Sequence, residues 1–199
     1  MAQSYPQFLH HGAADGVTGS CHRYVASPHI HLLVDCGLFQ GREASKGQEI
    51  DFDLKRVAAL VVTHVHIDHI GRLPYLLAAG FKGPILCSAP SAQLLPLVIE
   101  DALKMGFTRD RRIVEQFLKK VKSRLLPLAY KQWYPLRDEP CLQLKLRLQR
   151  AGHILGSAYV EIDLKQRSSP SEPWRSHRTV FSGDLGAPHA PLLPAPRSP

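Results

Sequence analysis

Apolar and polar residues alternate without a break along Leu142-Gln143-Leu144-Lys145-Leu146-Arg147-Leu148-Gln149. Successive side chains of extended backbone point to opposite faces. The run therefore predicts a half-buried strand with its leucines inward and a polar, basic face outward. Residues 56–62 are rich in Val and Ala and hardly alternate, which predicts a strand buried on both faces. Residues 22–26 and 29–34 read as paired strands around the Ser27-Pro28 turn. Further strands are expected at 6–11, 84–87, 158–164 and 179–181, with loops at 12–20 and 37–51 and a polar, Pro-containing turn at 166–177. Helical spacing covers 70–79 and 92–105, the second kinked by Pro96. Another helix runs from Asp110, a plausible N-cap, to Leu125, with Ile113, Val114, Phe117, Leu118 and Val121 on one face. No repeat of solenoid period is present. The mixture predicts a layered α/β protein.

Composition narrows the class. A chain of 199 residues, 44% hydrophobic, is long enough for one domain with a sizeable core. No apolar run approaches the roughly 18 residues that span a bilayer. Residues 1–11 lack a basic start and a long apolar segment, so no signal peptide is read and a cytoplasmic location follows by default. Cys21, Cys36, Cys87 and Cys141 are widely spaced, with no C-x-x-C pair, and are expected as reduced thiols. The net charge of +8 favours contact with a polyanion. Lys104, Arg109, Arg111, Arg112, Lys119, Lys120, Lys122, Arg124 and Lys131 supply part of the surplus, as a solvated helix face or as a phosphate-tracking surface.

The chemistry concentrates in Thr63-His64-Val65-His66-Ile67-Asp68-His69, an H-x-H-x-D-H pattern at the end of the buried strand 56–62. His64 and His66 lie two apart and can point the same way from extended backbone. Asp68 and His69 follow on the turn and can reach a second ion beside the first. Imidazole and carboxylate donors clustered this way are a metal-binding pattern. His64, His66, His153 and Asp184 all fall at or just past the ends of predicted strands. Loops at one sheet edge can converge on one point, where layered α/β proteins place their chemistry.

At this motif the chain resembles the metallo-β-lactamase superfamily. Val34-Asp35-Cys36-Gly37-Leu38-Phe39-Gln40-Gly41, Gly152-His153-Ile154-Leu155-Gly156-Ser157-Ala158 and Phe181-Ser182-Gly183-Asp184-Leu185-Gly186 resemble its other motifs, in the family's order. Gly12-Ala13-Ala14 and Val17-Thr18-Gly19-Ser20 fit as well. In these forms they resemble the β-CASP branch, whose members are nucleases, and lean toward its RNA-processing members. The resemblance implies an αββα sandwich with two zinc ions. His64, His66 and His153 would hold the first; Asp184 would bridge to a second, held also by Asp68 and His69. The resemblance implies that the metal would supply an activated water for attack on the phosphodiester of single-stranded RNA. Asp68 and Asp35 are the residues singled out for catalysis; Asp35 is expected to accept a bond from a ligand histidine, against the alternative of a plain turn aspartate. A small-molecule metallo-hydrolase acting on thioesters or lactones is the alternative activity, and a non-catalytic truncated product the alternative outside enzymes.

Members of the branch continue past the Asp184 motif with an inserted β-CASP domain and a returning segment that brings further histidines. This sequence instead stops after a Pro-rich stretch. The expected organisation is therefore residues 1–186 as the N-terminal part of an incomplete metallo-β-lactamase domain, and 187–199 as a tail leading to the missing part. Three expectations follow: one tightly held zinc and one weak one, apolar sheet surface left uncovered, and weak or no RNA cleavage by the isolated chain. A homodimer is compatible with the sequence, and no membrane partner is expected. Thr18 and Ser20 are expected as loop-capping hydroxyls. His10, His11, His22, His29, His31, His177 and His189 carry no motif spacing and are expected as structural or surface residues.

Overall fold

The computed structural model describes residues 4–198. Two sheets pack face to face. The first contains β1 (Gln7–Gly12), β2 (Cys21–Ser27), β3 (Ile30–Val34), β4 (Val57–Val61), β5 (Ile85–Ser88) and β6 (Leu125–Leu128), in that spatial order. Its β1-β2-β3 part is antiparallel and its β3-β4-β5-β6 part parallel. The second is antiparallel, with β7 (Tyr134–Glu139), β8 (Leu142–Arg150), β9 (Ala158–Gln166) and β10 (Arg175–Phe181) in the order β10-β9-β8-β7. Four helices follow the parallel strands: α1 (Ile67–Ile70), α2 (Leu73–Ala78), α3 (Ala89–Gly106) and α4 (Arg111–Lys122). None is long and apolar enough to cross a membrane.

Alternation along the strands builds two apolar layers. Leu33, Leu60, Ile85 and Cys87 face one way and meet Leu73, Leu76, Leu95, Ile99, Val114 and Val121 of the helices. Leu32, Val34, Ala59, Val61 and Leu86 face the other way and meet Leu144, Leu146, Leu148, Val160, Ile162 and Leu164 of the second sheet. Strands β3 and β4 are thus buried on both faces, as the composition of residues 56–62 predicts for β4. The leucine face of β8 is sealed between the sheets, with Leu144, Leu146 and Leu148 fully buried. Its other face carries Arg147 paired with Glu161, and Lys145 paired with Asp163 at 3.3 Å. The Trp133 ring lies across that face, 4.5 Å from the Arg147 guanidinium and 4.9 Å from Lys145 Nζ.

The outer face of the second sheet is therefore charged rather than apolar. Uncovered apolar side chains occur at the sandwich's open edges, Phe8 and Leu9 on β1 and Val180 on β10, and on the outer helices, Leu97 and Met105 on α3 and Ile113 on α4. Several elements differ from expectation. β6 is a strand, although Leu125 continues the helical spacing of α4 by one further turn. Pro127 is tolerated there because β6 is the last strand of its sheet. β7 contains Pro135 and lacks alternation, so its sequence does not announce a strand. β10 begins at Arg175, inside the expected turn, because an edge strand can be polar on its solvent face. The helix expected at 70–79 is two short pieces, with Pro74 in the first turn of α2. α3 starts directly at the end of β5, where Ser88 Oγ accepts from Ser91 N at 3.2 Å.

Candidate metal centre

The H-x-H-x-D-H run leaves the C-terminal end of β4 and is pinned by backbone hydrogen bonds before it turns into α1. Ser20 N donates to Asp68 O at 2.9 Å, Cys36 N to His69 O at 2.8 Å and Leu38 N to Ile67 O at 3.0 Å. The loop after β3 is thus laid along the motif. Gly37 is the point of closest approach; a side chain there would run into the Asp68 carbonyl. Arg72, buried beneath, donates from Nε to Gly37 O at 2.6 Å and stacks over the Phe39 ring at 4.5 Å. Sequence reasoning passed over Arg72, whose signal was a lone cation at the start of an apolar helical stretch.

Asp35 sits under this loop, buried and with φ +60°. Its carboxylate accepts from Thr63 N at 2.8 Å, Thr63 Oγ1 at 2.8 Å and Ser20 Oγ at 3.3 Å. It also lies 2.8 Å from His69 Nδ1, which must carry the proton in that contact. His69 Nε2 is therefore left with a free lone pair. It faces Asp184 Oδ1 at 3.4 Å and Asp68 Oδ2 at 3.8 Å. Thr63 fixes His64 in the same way. Its hydroxyl proton goes to Asp35, so it accepts from His64 Nδ1 at 3.1 Å, and His64 Nε2 is left free.

Three imidazole nitrogens and one carboxylate oxygen converge beside it. His64 Nε2 lies 3.1 Å from His66 Nδ1, and His153 Nε2 lies 3.2 Å from the same atom. Asp184 Oδ2 is 3.5 Å from His153 Nε2 and 3.8 Å from His64 Nε2. All four donor atoms fall within 4.8 Å of one another. A tetrahedral ion with bonds of about 2.05 Å separates its ligand atoms by about 3.3 Å, close to the 3.1–3.8 Å of these four contacts, so the donor set suits a metal ion such as zinc. Burial, followed by the neighbouring His69, His66 and His153, pushes the His64 pKa down to about 2. Burial and His153 push His66 down as well. Both rings are thus neutral, as metal ligation requires. His69 goes the other way: burial pulls it down, but the Asp35 hydrogen bond and the charges of Asp35, Asp68 and Asp184 outweigh that and raise it.

The His153 loop is held from below by α3. Ser157 Oγ accepts from His153 N at 3.0 Å and Ile154 N at 3.2 Å. Ser88 Oγ and Ser91 Oγ donate to Gly156 O at 2.6 and 2.9 Å. Neither Ser88 nor Ser91 carried a sequence signal, since their partner is more than sixty residues away. Thr18 is a loop-capping residue, its hydroxyl bonded to Glu43 at 2.7 Å. Ser20 does more, linking Asp35 to His22, whose Nε2 lies 3.4 Å from Ser20 Oγ. His22 and His10, expected as structural or surface residues, pair at 2.9 Å. With Phe8 and Phe181 they line a cavity of about 600 Å³ that also reaches His69 and Asp184.

Comparison with known proteins points to a family. Residues 17–143 match the family described as the Metallo-beta-lactamase superfamily. The chain is 36% identical over 189 residues to "Ribonuclease TTHA0252" of Thermus thermophilus, covering 94% of this chain and 40% of that protein. It is 30% identical over 158 residues to "Transcription termination factor FttA" of Methanocaldococcus jannaschii, covering 77% of this chain and 24% of that one. It is 28% identical over 190 residues to "Integrator complex subunit 11" of Danio rerio, covering 87% of this chain and 28% of that one. The chain thus spans less than half the length of each of these relatives.

Proposed function

Because this chain belongs to the metallo-β-lactamase superfamily, in its β-CASP nuclease branch, we propose that its metal centre serves hydrolysis of phosphodiester bonds in single-stranded RNA. One observation carries the reading: the convergence of His64, His66, His153 and Asp184 within 4.8 Å at the ends of separate strands. In this reading the metal is zinc, and the chain works in the cytoplasm. When bound, zinc supplies an activated water and neutralises charge on the phosphate.

The protein's own residues hold and orient that centre. His64, His66, His153 and Asp184 form the first ion's ligand set. Asp68, His69 and the shared Asp184 form the second, which has fewer donors and is the weaker site. Asp35 does not face substrate; it positions His69 and fixes its tautomer. The side chains of His153 and Asp184 are 28% and 46% exposed, whereas His64 is buried, so substrate approaches from the His153–Asp184 side. A net charge of +8 favours a polyanionic substrate over a neutral thioester or lactone.

The test is cleavage of an end-labelled single-stranded RNA by the zinc-loaded chain. Slow cleavage is expected, abolished by chelator and by His66→Ala. Turnover of thioester or lactone substrates with no zinc-dependent RNA cleavage would overturn the RNA reading.

A further inference from the structure

His153 follows β8 and Asp184 follows β10, and β9 lies between those strands. Strands two places apart in a sheet are separated by roughly 10 Å. The sheet alone therefore does not bring these two ligands into contact, yet His153 Nε2 and Asp184 Oδ2 lie 3.5 Å apart. We propose that Gly186 and the Pro-rich segment after it clamp the His153 loop against the Asp184 loop, so that this segment positions two ligands of the first ion. The inference rests on the reading of His64, His66, His153 and Asp184 as that ion's ligands.

The first jaw is Gly186. Its N–H donates to Ala151 O at 2.8 Å, which ties the Asp184 loop to the chain just before His153. Its α-carbon lies flat against the Gly152 carbonyl, and any side chain there would collide with that carbonyl and approach His153 N. The second jaw comes from the far end of the segment. A side chain at Gly152 would meet Pro194 O at 2.9 Å and Pro196 Cδ at 2.9 Å. Arg197 N then donates to Arg150 O at 3.2 Å. Gly152, with φ +68°, is thus enclosed from both sides by one continuous stretch of chain.

The composition suits that task. A proline has a fixed φ and loses little backbone freedom when it is ordered, so a Pro-rich strap is cheap to hold in place. Neither jaw contributes a metal ligand. Their effect is on where His153 sits relative to Asp184, and hence on how well the four donors match one ion.

The experiment compares the full chain with Gly186→Val and with the double variant Pro194→Gly/Pro196→Gly. Zinc affinity of the first site is measured by competition with a chromogenic chelator. Cobalt(II) substitution supplies a visible absorption band that reports the ligand geometry, and circular dichroism checks the fold. Both variants are expected to keep the native dichroism spectrum, to bind zinc at least tenfold more weakly, and to show an altered cobalt band. His153→Ala should cost less zinc affinity in the Gly186→Val background than in the parent. If Gly186→Val does not fold, the proline double variant decides, since those prolines lie on the surface. Folded variants that bind zinc within twofold of the parent, with an unchanged cobalt band, would overturn the clamp. A parent chain that binds no zinc would instead refute the ligand assignment itself.

Discussion

Replacing Asp35 with alanine removes a carboxylate that is bonded to four atoms of three residues in a site only 1% exposed. One of the donors cannot give up its proton: the Thr63 backbone N–H, 2.8 Å away. The His69 ring can move its proton to Nε2, and its Nδ1 lies 3.5 Å from Thr63 Oγ1. A buried donor left without an acceptor costs about 1–3 kcal/mol. The left-handed backbone at φ +60°, which aspartate tolerates better than alanine, adds roughly 1 kcal/mol. Such a loss is a large share of the roughly 5–15 kcal/mol that holds an ordinary domain folded. Asp35→Asn behaves differently. Its amide oxygen can keep the Thr63 N–H, but its NH2 group then confronts His69 Nδ1–H. His69 relieves the clash by moving its proton to Nε2, the atom that faces Asp68 and Asp184. The expected result is a small change in stability and a roughly 10–100-fold weaker second ion. Urea unfolding of both variants and 15N spectra of the His69 ring check this pair of outcomes. A loss below about 1 kcal/mol in Asp35→Ala, or an Nδ1-protonated His69 in Asp35→Asn, would refute the reasoning.

Two further outcomes follow from burial. The folded His64 pKa, pushed to about 2, lies below the unfolded value of 6.5, so its neutral form stabilises the fold above pH 6.5 and that contribution fades as pH falls. At pH 5 the loss from His64 alone is about 2 kcal/mol, with His66 acting in the same direction. His69 opposes them, since its raised pKa contributes stability below pH 6.5 that is lost as pH rises through the folded value. The zinc-free chain should therefore unfold at lower urea at pH 5 than at pH 7.5, and equal midpoints would contradict the burial argument. Leu146→Ala, at a fully buried position between the sheets, should cost about 2–5 kcal/mol in the same assay; a cost under 1 kcal/mol would mean that the sheet–sheet core is not packed there.

Local patterns carried much of the architecture into the sequence. The β8 alternation identified both its faces, and the two-residue spacing of His64 and His66 placed two donors on one side of an extended run. Short edge strands were the failures. β6 continues a helical spacing and β7 has no period at all, because an edge strand is selected by one neighbour rather than by two buried faces. Partners distant in the chain were the other blind spot. The hydroxyls of Ser88 and Ser91 hold the His153 loop through Gly156, and Arg72 reaches the backbone carbonyls of His11, Gly19 and Gly37 and the Phe39 ring. Nothing near those residues in the sequence shows what they will meet. Uncovered apolar surface was anticipated as a sheet face, but β8 and β9 cover their outer face with ion pairs, and the exposed apolar groups sit on the edge strands and on α3 and α4.

The central claim is a first ion held by His64, His66, His153 and Asp184 beside a second, weaker site. Elemental analysis of the chain after zinc loading and exhaustive dialysis tests it most directly. One zinc per chain is predicted, falling to none in His153→Ala and unchanged in Asp68→Ala. Two retained ions, or one that survives His153→Ala, would contradict it.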